Sequence, residues 1–130
     1  MSKEFEDIRI ISMDDAASRR TDPNLALVNI VLNLSSSAPH EWASYFNQLW
    51  QQHIYMMKRK AQVSGKRLEI YCVPDQLQEN HIPELNKVIN ETNVAYKTYL
   101  SNQAQQKAVK DAQEAAEREH LKRIKDNLKF

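Results

Sequence analysis

The sequence predicts an α+β fold: a small three-stranded mixed sheet, two helices packed on one face, and a projecting C-terminal helical tail. Three observations predict it. Alternation of apolar and polar residues, typical of strands, recurs three times in the first two thirds of the chain. An amphipathic helical pattern lies between the second and third of these segments. The last third, Ile82 to Phe130, contains no glycine and no proline except Pro83, so nothing within it ends a helix.

The first two strands are predicted close to the N-terminus. In the first, Phe5 to Met13, isoleucines alternate with polar residues. Asp14 to Asn24 is predicted to be a loop, because turn-forming residues replace the apolar period. The second strand, Leu25 to Leu34, is apolar on one face and mixed on the other. Such a strand is expected at a central position in the sheet.

The predicted crossover follows the second strand. Helix His40 to Val63 carries an apolar arc that includes Trp42, Phe46 and Trp50, and Gly65 is expected to end it. Lys66 to Val73 alternates again and forms the third strand. The element order is then β-β-α-β-α. Strands two and three are expected to be parallel across a right-handed connection, with the first strand antiparallel.

The last helix divides into two parts. Ile82 to about Leu100 carries an apolar arc suited to a core, whereas from Ser101 the stripe rotates and thins to alanine. The sequence therefore predicts an α+β core domain over residues 1–100 and a charged, alanine-rich helical tail over residues 101–130. Ion pairs four residues apart, such as Glu114 with Arg118, each add only about 0.2–0.5 kcal/mol to an exposed helix.

Composition limits the classes of partner and of compartment. The net charge of +1 gives no general attraction to nucleic acid or to an acidic membrane. Cys72 is the single cysteine, which excludes an intramolecular disulfide and fits a reducing compartment. The polar N-terminus lacks the apolar run of a signal peptide, and no apolar run is long enough to span a bilayer. We expect a cytoplasmic protein with no membrane partner.

No residue pattern indicates catalysis, a cofactor or a metal. The four histidines show no ligand spacing with one another or with Cys72. His53 falls on the apolar arc of the predicted helix. It is interpreted as a core histidine, or alternatively as a general base in a pocket, although no acid or nucleophile is identifiable as its partner. Cys72 is expected to face the core and to be inert.

A basic cluster is the strongest candidate for ligand contact. Five cations surround a predicted tight turn, and two arginines in the first loop are expected to join them. They either stabilise a helix C-terminus and a strand edge or bind phosphate or nucleic acid. The seven residues are Arg19, Arg20, Lys58, Arg59, Lys60, Lys66 and Arg67.

A second set of residues is the candidate interface with a protein partner. It combines the open sheet face, a polar stripe on the last helix and the tail. Its members are Asn29, Val31, Asn33, Tyr71, Asn86, Asn90, Asn93 and Val109. The leading expectation is therefore a non-enzymatic interaction or adaptor module that binds itself or another protein. The alternatives are a nucleic-acid or phosphate binder that uses Lys58 to Arg67, and an enzyme with a pocket near His53.

Overall fold

The computed structural model describes residues 5–130, so the polar N-terminal residues 1–4 lie outside the described residues. The chain forms two compact units, Met1–Tyr96 and Lys97–Phe130. The first unit holds a sheet and two helical segments, and the second holds the rest of the second helix. The division falls just before the domain boundary expected after residue 100.

The first unit contains a four-stranded sheet. Its strands lie in the order β1-β2-β4-β3, and every neighbouring pair is antiparallel. The α+β class is confirmed, but the three-stranded mixed sheet is wrong: the described residues form four strands, none of them paired in parallel. The elements are β1 Ile10–Arg19, β2 Val28–Leu34, α1 His40–Gln52, β3 Ala61–Ser64, β4 Arg67–Cys72, two short helical turns (Pro74–Gln76 and Leu77–His81) and α2 Ile82–Asn127.

In place of the second half of a predicted helix, the chain forms an irregular segment over residues 53–60 and then the extra strand β3. The helix expected from His40 to Val63 ends at Gln52, and His53 is already extended with ψ at 129°. Ala61–Ser64 alternates apolar and polar residues, so it can pair with β4 as an edge strand and satisfy backbone groups of both. Gly65, with φ at 59°, lies in the turn of this hairpin instead of ending a helix. Strand pairing here overrides local helix propensity.

The direction of β4 follows from the presence of β3. A connection that led from α1 straight into β4 would bring β4 back parallel to β2. Because β3 intervenes and reverses the chain, β4 runs antiparallel to β2, with Ile30 opposite Ile70 and Leu32 opposite Leu68. A four-residue strand was enough to change the topology.

Strand β1 begins later and ends later than predicted. It covers Ile10–Arg19, so part of the predicted loop from Asp14 is strand, interrupted by irregular register. The Ser18 hydroxyl bridges the irregular part: it donates to the Asp14 carbonyl at 2.7 Å and accepts the Val31 N–H at 2.9 Å. A side-chain hydrogen bond thus replaces a missing backbone hydrogen bond between β1 and β2. The periodicity of the sequence does not reveal such a bond.

The core lies against one sheet face. Six alternate residues of β2 and β4 on this face are at most 2% exposed, and they are Ile30, Leu32, Leu34, Leu68, Ile70 and Cys72. The helices add buried rings and aliphatic side chains from Trp42, Phe46, Trp50, Leu85, Val88, Ile89 and Tyr96. The opposite sheet face stays half-exposed at Asn29, Asn33, Glu69 and Tyr71.

The second unit is helical through Asn127, and every residue from Ser101 to Phe130 is exposed. Its large apolar side chains are among the most exposed of the described chain: Val109, Leu121, Ile124, Leu128 and Phe130. A helix without burial has only its propensity and side-chain pairs to stabilise it.

Candidate functional site

The structure divides the predicted basic cluster into two parts. Lys58, Arg59 and Lys60 precede β3, whereas Lys66 and Arg67 lie at its other end, in and after the hairpin turn. Four strand residues separate them, or roughly 13 Å at the usual rise of a strand. A single patch of five cations is therefore not formed.

The other predicted cations are also held elsewhere. Arg67 lies 3.8 Å from the Asp14 carboxylate, and Arg20 donates from Nη1 to the Leu25 carbonyl at 2.6 Å. Arg19 sits opposite Asn29 in the β1–β2 pairing. Only the first three cations of the cluster share one site.

Those three cations line a cleft of about 560 Å³ at the C-terminal end of α1, which we call the basic cleft. Side-chain amides complete much of its polar lining, from Asn47, Gln51 and Gln62. Trp50 and Ala61 supply apolar surface, and no carboxylate of residues 5–130 lines the cleft. An acid-free lining with three cations favours anions.

Lys58 stabilises the end of α1. Its Nζ donates to the carbonyls of Trp50 and Gln51, the latter at 3.1 Å, and lies 5.6 Å from the centre of the Trp50 ring. The last carbonyls of a helix lack partners and carry a partial negative charge. Lys58 thus stabilises a helix C-terminus, which is one of the two roles expected for this cluster.

Arg59 has a different environment. Its carbonyl accepts the Trp50 Nε1–H at 3.0 Å, which fixes the backbone beside the ring. Its guanidinium Nε is buried and has no hydrogen-bond partner within the described part of the chain. No acidic group of residues 5–130 lies within 4.0 Å of the guanidinium. Buried donors are normally paired, so this atom is an exception that calls for an explanation.

His53 lies beside an acid that the sequence did not reveal. Its Nε2 is 2.7 Å from Glu84 Oε2, and both side chains are 21% exposed. The hydrogen bond from His53 holds the pKa of Glu84 below its ordinary value, and Lys87 at 3.6 Å adds to this effect. Since Glu84 stands in the first turn of α2, only the packing of α2 near the end of α1 brings the pair together.

Tyr55 and His81 form a second polar pair. The Tyr55 hydroxyl lies 2.8 Å from Nδ1 of the fully buried His81, and His81 Nε2 has no partner among the described residues. Burial, with a smaller effect of Arg59, lowers the pKa of His81. Burial also raises the pKa of Tyr55 to about 12. This pair is therefore neutral at physiological pH.

Cys72 is buried as expected, at 0% exposure. Burial raises the pKa of its thiol to about 11, so the reactive thiolate is rare at neutral pH. This environment is typical of a structural cysteine.

The candidate interface residues occupy three kinds of position. Val31 and Asn93 are 1% and 2% exposed, so both lie inside the fold and are unavailable to a partner. Asn86, Asn90 and Val109 are exposed.

The remaining three, Asn29, Asn33 and Tyr71, lie half-buried on the outer sheet face. Tyr71 and Asn29 help to line a shallow depression of about 230 Å³ there. The Tyr71 hydroxyl is 2.8 Å from Thr21 Oγ1, and Asn33 donates to Ser12 Oγ at 3.1 Å. The face that was expected to be open is polar and partly covered.

Similarity to known proteins does not assign the chain to a family. No protein-family model, no curated protein and no solved structure matches the chain. Within residues 5–130, no group of three or more His, Cys, Asp or Glu side chains is arranged to hold a metal ion. The helices of this part of the chain include none whose length and apolar content would let it cross a membrane.

Proposed function

We propose that the protein is a non-enzymatic interaction module whose C-terminal helical segment binds another protein chain, either a second copy or a different protein. The observation that carries the proposal is the exposure of the whole segment from Ser101 to Phe130, although it is helical through Asn127. Isolated helices gain little stability from propensity alone. Burial of an apolar stripe against a partner is the usual source of the missing stability.

The stripe on this segment has helical spacing. Leu121 and Ile124 lie three residues apart on one side of the helix, Leu128 follows four residues later just beyond its end, and the three are 55%, 44% and 54% exposed. Full burial of such a side chain contributes about 1.5–3 kcal/mol relative to full exposure. Completing the burial of three half-exposed side chains would add roughly half of that for each. An apolar helix face laid into a partner's groove is a common mode of recognition.

Full-length variants test this proposal. Leu121→Gln with Ile124→Gln keeps helix propensity and removes the apolar side chains; Val94→Gln, at a position 62% exposed in the same helix, is the matched control. Self-association is measured by light scattering, and partners by affinity purification from the native host with quantification of each captured protein. We expect the double variant to weaken the self-complex or the specific partner by about tenfold or more and the control to have little effect.

A different pattern of results would reject the proposal. If the parent protein is monomeric at about 100 μM and no partner is lost selectively in the double variant, the segment does not serve as a protein-binding helix.

The two alternatives receive unequal support. The hypothesis of nucleic-acid binding along Lys58 to Arg67 has less support, because the cations lie at opposite ends of β3. An enzyme centred on His53 now has an acid in Glu84. However, the His53 ring packs against the rings of Trp50 and Tyr55, with ring centroids 6.0 and 5.7 Å apart. The Tyr55 hydroxyl is already hydrogen-bonded to His81, so this neighbour of His53 is engaged within the fold.

A further inference from the structure

We infer that the basic cleft binds a small ligand that carries two negative charges on oxyanion groups, either a phosphate monoester or a dicarboxylate. This site is on the first unit and does not depend on the helical segment that carries the proposed function. Its key residue is Arg59, which binds the oxyanion, and the exposed Lys60 follows it in the lining of the cleft.

The charge of the lining is not balanced by the protein. Lys58, Arg59 and Lys60 line the cleft, and no acidic residue in the described part of the chain does. None of the three forms an ion pair with an acidic group in residues 5–130. Cations brought together without acids repel one another, and an anion between them removes that repulsion.

The roles of the three cations differ, and this sets the charge of the ligand. Lys58 is bonded to the last carbonyls of α1 and so offsets the negative end of that helix. Arg59 and Lys60 are left with two positive charges that form no ion pair within 4.0 Å in the described chain. A dianion balances them, whereas a monoanion balances only half.

The unpaired Nε leaves the Arg59 guanidinium with unused donor capacity for an oxyanion. A guanidinium binds carboxylate or phosphate through parallel N–H bonds from Nε and one Nη. Here Nε is shielded from water and has no acceptor among the described residues, an unfavourable state for a charged donor. A turn of the Arg59 side chain toward the cleft on binding would bring Nε to an oxygen of the ligand, which then supplies the missing acceptor.

Asn47 adds a neutral donor to the site. Its Oδ1 accepts the Val63 N–H at 2.9 Å, so the amide NH₂ is the half that remains for a ligand. Gln62 is different, since its Nε2 is 3.4 Å from Glu69 Oε2 and its carbonyl oxygen remains available. The cleft thus offers an acceptor for a hydroxyl of the ligand in addition to donors for the oxyanion.

The geometry favours a small molecule over a polymer. A volume of about 560 Å³ lies within the range of small-molecule sites, roughly 300–1,000 Å³. A nucleic-acid backbone needs a track of cations, but the next ones, Lys66 and Arg67, lie at the far end of β3.

Titration of the full-length protein with inorganic phosphate and, separately, with succinate tests the inference. Amide resonances are followed by NMR, with chloride used to hold the ionic strength constant. We expect saturable shifts at residues 47 and 58–62 below about 10 mM of at least one anion. Saturation with phosphate alone identifies a phosphate ligand, and saturation with succinate alone identifies a dicarboxylate.

Charge-matched variants separate the cleft from general attraction. Arg59→Gln should weaken the anion by about tenfold or more, and Lys60→Gln by a smaller factor. Lys66→Gln removes the same charge at the other end of the hairpin and should change the affinity by less than about twofold. Because Lys60 is exposed, its variant tests the site even if Arg59→Gln does not fold.

Three results would overturn the inference. The first is the absence of saturable shifts at the cleft for both anions. The second is equal weakening by Arg59→Gln and Lys66→Gln. The third is tighter binding of a single-stranded oligonucleotide that depends equally on Lys60 and Lys66, which would assign the cations to nucleic acid. The Leu121→Gln, Ile124→Gln variant should bind the anion like the parent, so failure of this inference and failure of the proposed function are distinguishable.

Discussion

Asn93 of α2 binds both backbone polar groups of Ile8. Its Oδ1 accepts the Ile8 N–H at 3.0 Å, and its Nδ2 donates to the Ile8 carbonyl at 2.9 Å. The same Oδ1 accepts the Trp42 Nε1–H at 2.9 Å. Ile8, Trp42 and Asn93 are at most 2% exposed, so water does not substitute for these bonds. One side chain thereby joins the segment before β1 to both helices.

Loss of this side chain is expected to be strongly destabilising. Asn93→Leu leaves the Ile8 N–H, the Ile8 carbonyl and the Trp42 N–H without partners in the core. We expect the free energy of unfolding to fall by about 2–4 kcal/mol, measured by urea denaturation. Asn90→Leu, at an exposed position of the same helix, should change it by no more than about 0.5 kcal/mol. Equal effects of the two variants would mean that the Asn93 bonds are not structural.

Gly65 offers a test of the β3–β4 turn. Its φ is +59°, and a Cβ added there meets no atom within 4 Å, so only the backbone conformation opposes a side chain. Gly65→Ala is expected to lower the free energy of unfolding by about 1–2 kcal/mol, and Gly65→Asn by less. Ser64→Ala serves as the neighbouring control. A neutral Gly65→Ala would argue against the left-handed turn, and with it against the hairpin that forms β3.

His81 is expected to make stability depend on pH. Its pKa in the folded protein lies below the ordinary value of 6.5, chiefly because of burial. Between those two values the unfolded chain binds a proton that the folded chain does not, so the free energy of unfolding falls as the pH drops below 6.5. Glu84 acts in a lower window, because its stabilising contribution is lost only as the pH falls through a folded pKa below 4.5.

Urea denaturation at about pH 7.5, 6.5 and 5.5 measures this dependence. His81→Gln should reduce the slope of stability against pH in that window, whatever its effect on stability itself. His120→Gln, in the exposed helical segment, should leave the slope as it is in the parent. An unchanged slope in His81→Gln would contradict the assignment of the dependence to this residue.

Cys72 should react slowly with thiol reagents. A thiol with a pKa of about 11 is almost wholly protonated at pH 8, and the side chain is fully buried. The reaction with an aromatic disulfide, followed by absorbance, is expected to be slower in the native protein than in urea by about a hundredfold or more. A native rate close to the unfolded rate would show that Cys72 is accessible.

The candidate site could be predicted only in part. Lys58, Arg59 and Lys60 were identified as possible anion contacts because cations adjacent in sequence are adjacent in space. Their separation from Lys66 was not foreseen, since it depends on β3, whose residues also suit a helix.

Contacts between distant residues were missed for another reason. Glu84 stands 31 positions from His53 along the chain, and Asn93 stands 85 positions from Ile8. No periodic pattern links residues so far apart. The sequence places Asn93 with Asn86 and Asn90 in a polar stripe proposed as a candidate interface, because a polar residue at the edge of an apolar arc carries no sign of its buried partner.

The α+β class, strands β2 and β4, the start of α1 and the long glycine-free helix α2 could all be predicted from sequence patterns. Each of these follows from the local period with which apolar residues recur, a property of neighbouring residues. The antiparallel four-stranded order, the burial of Asn93 and the shape of the basic cleft became apparent only in the folded protein. These depend on which backbone and polar groups find partners across the fold, and that pairing is settled when the elements pack together.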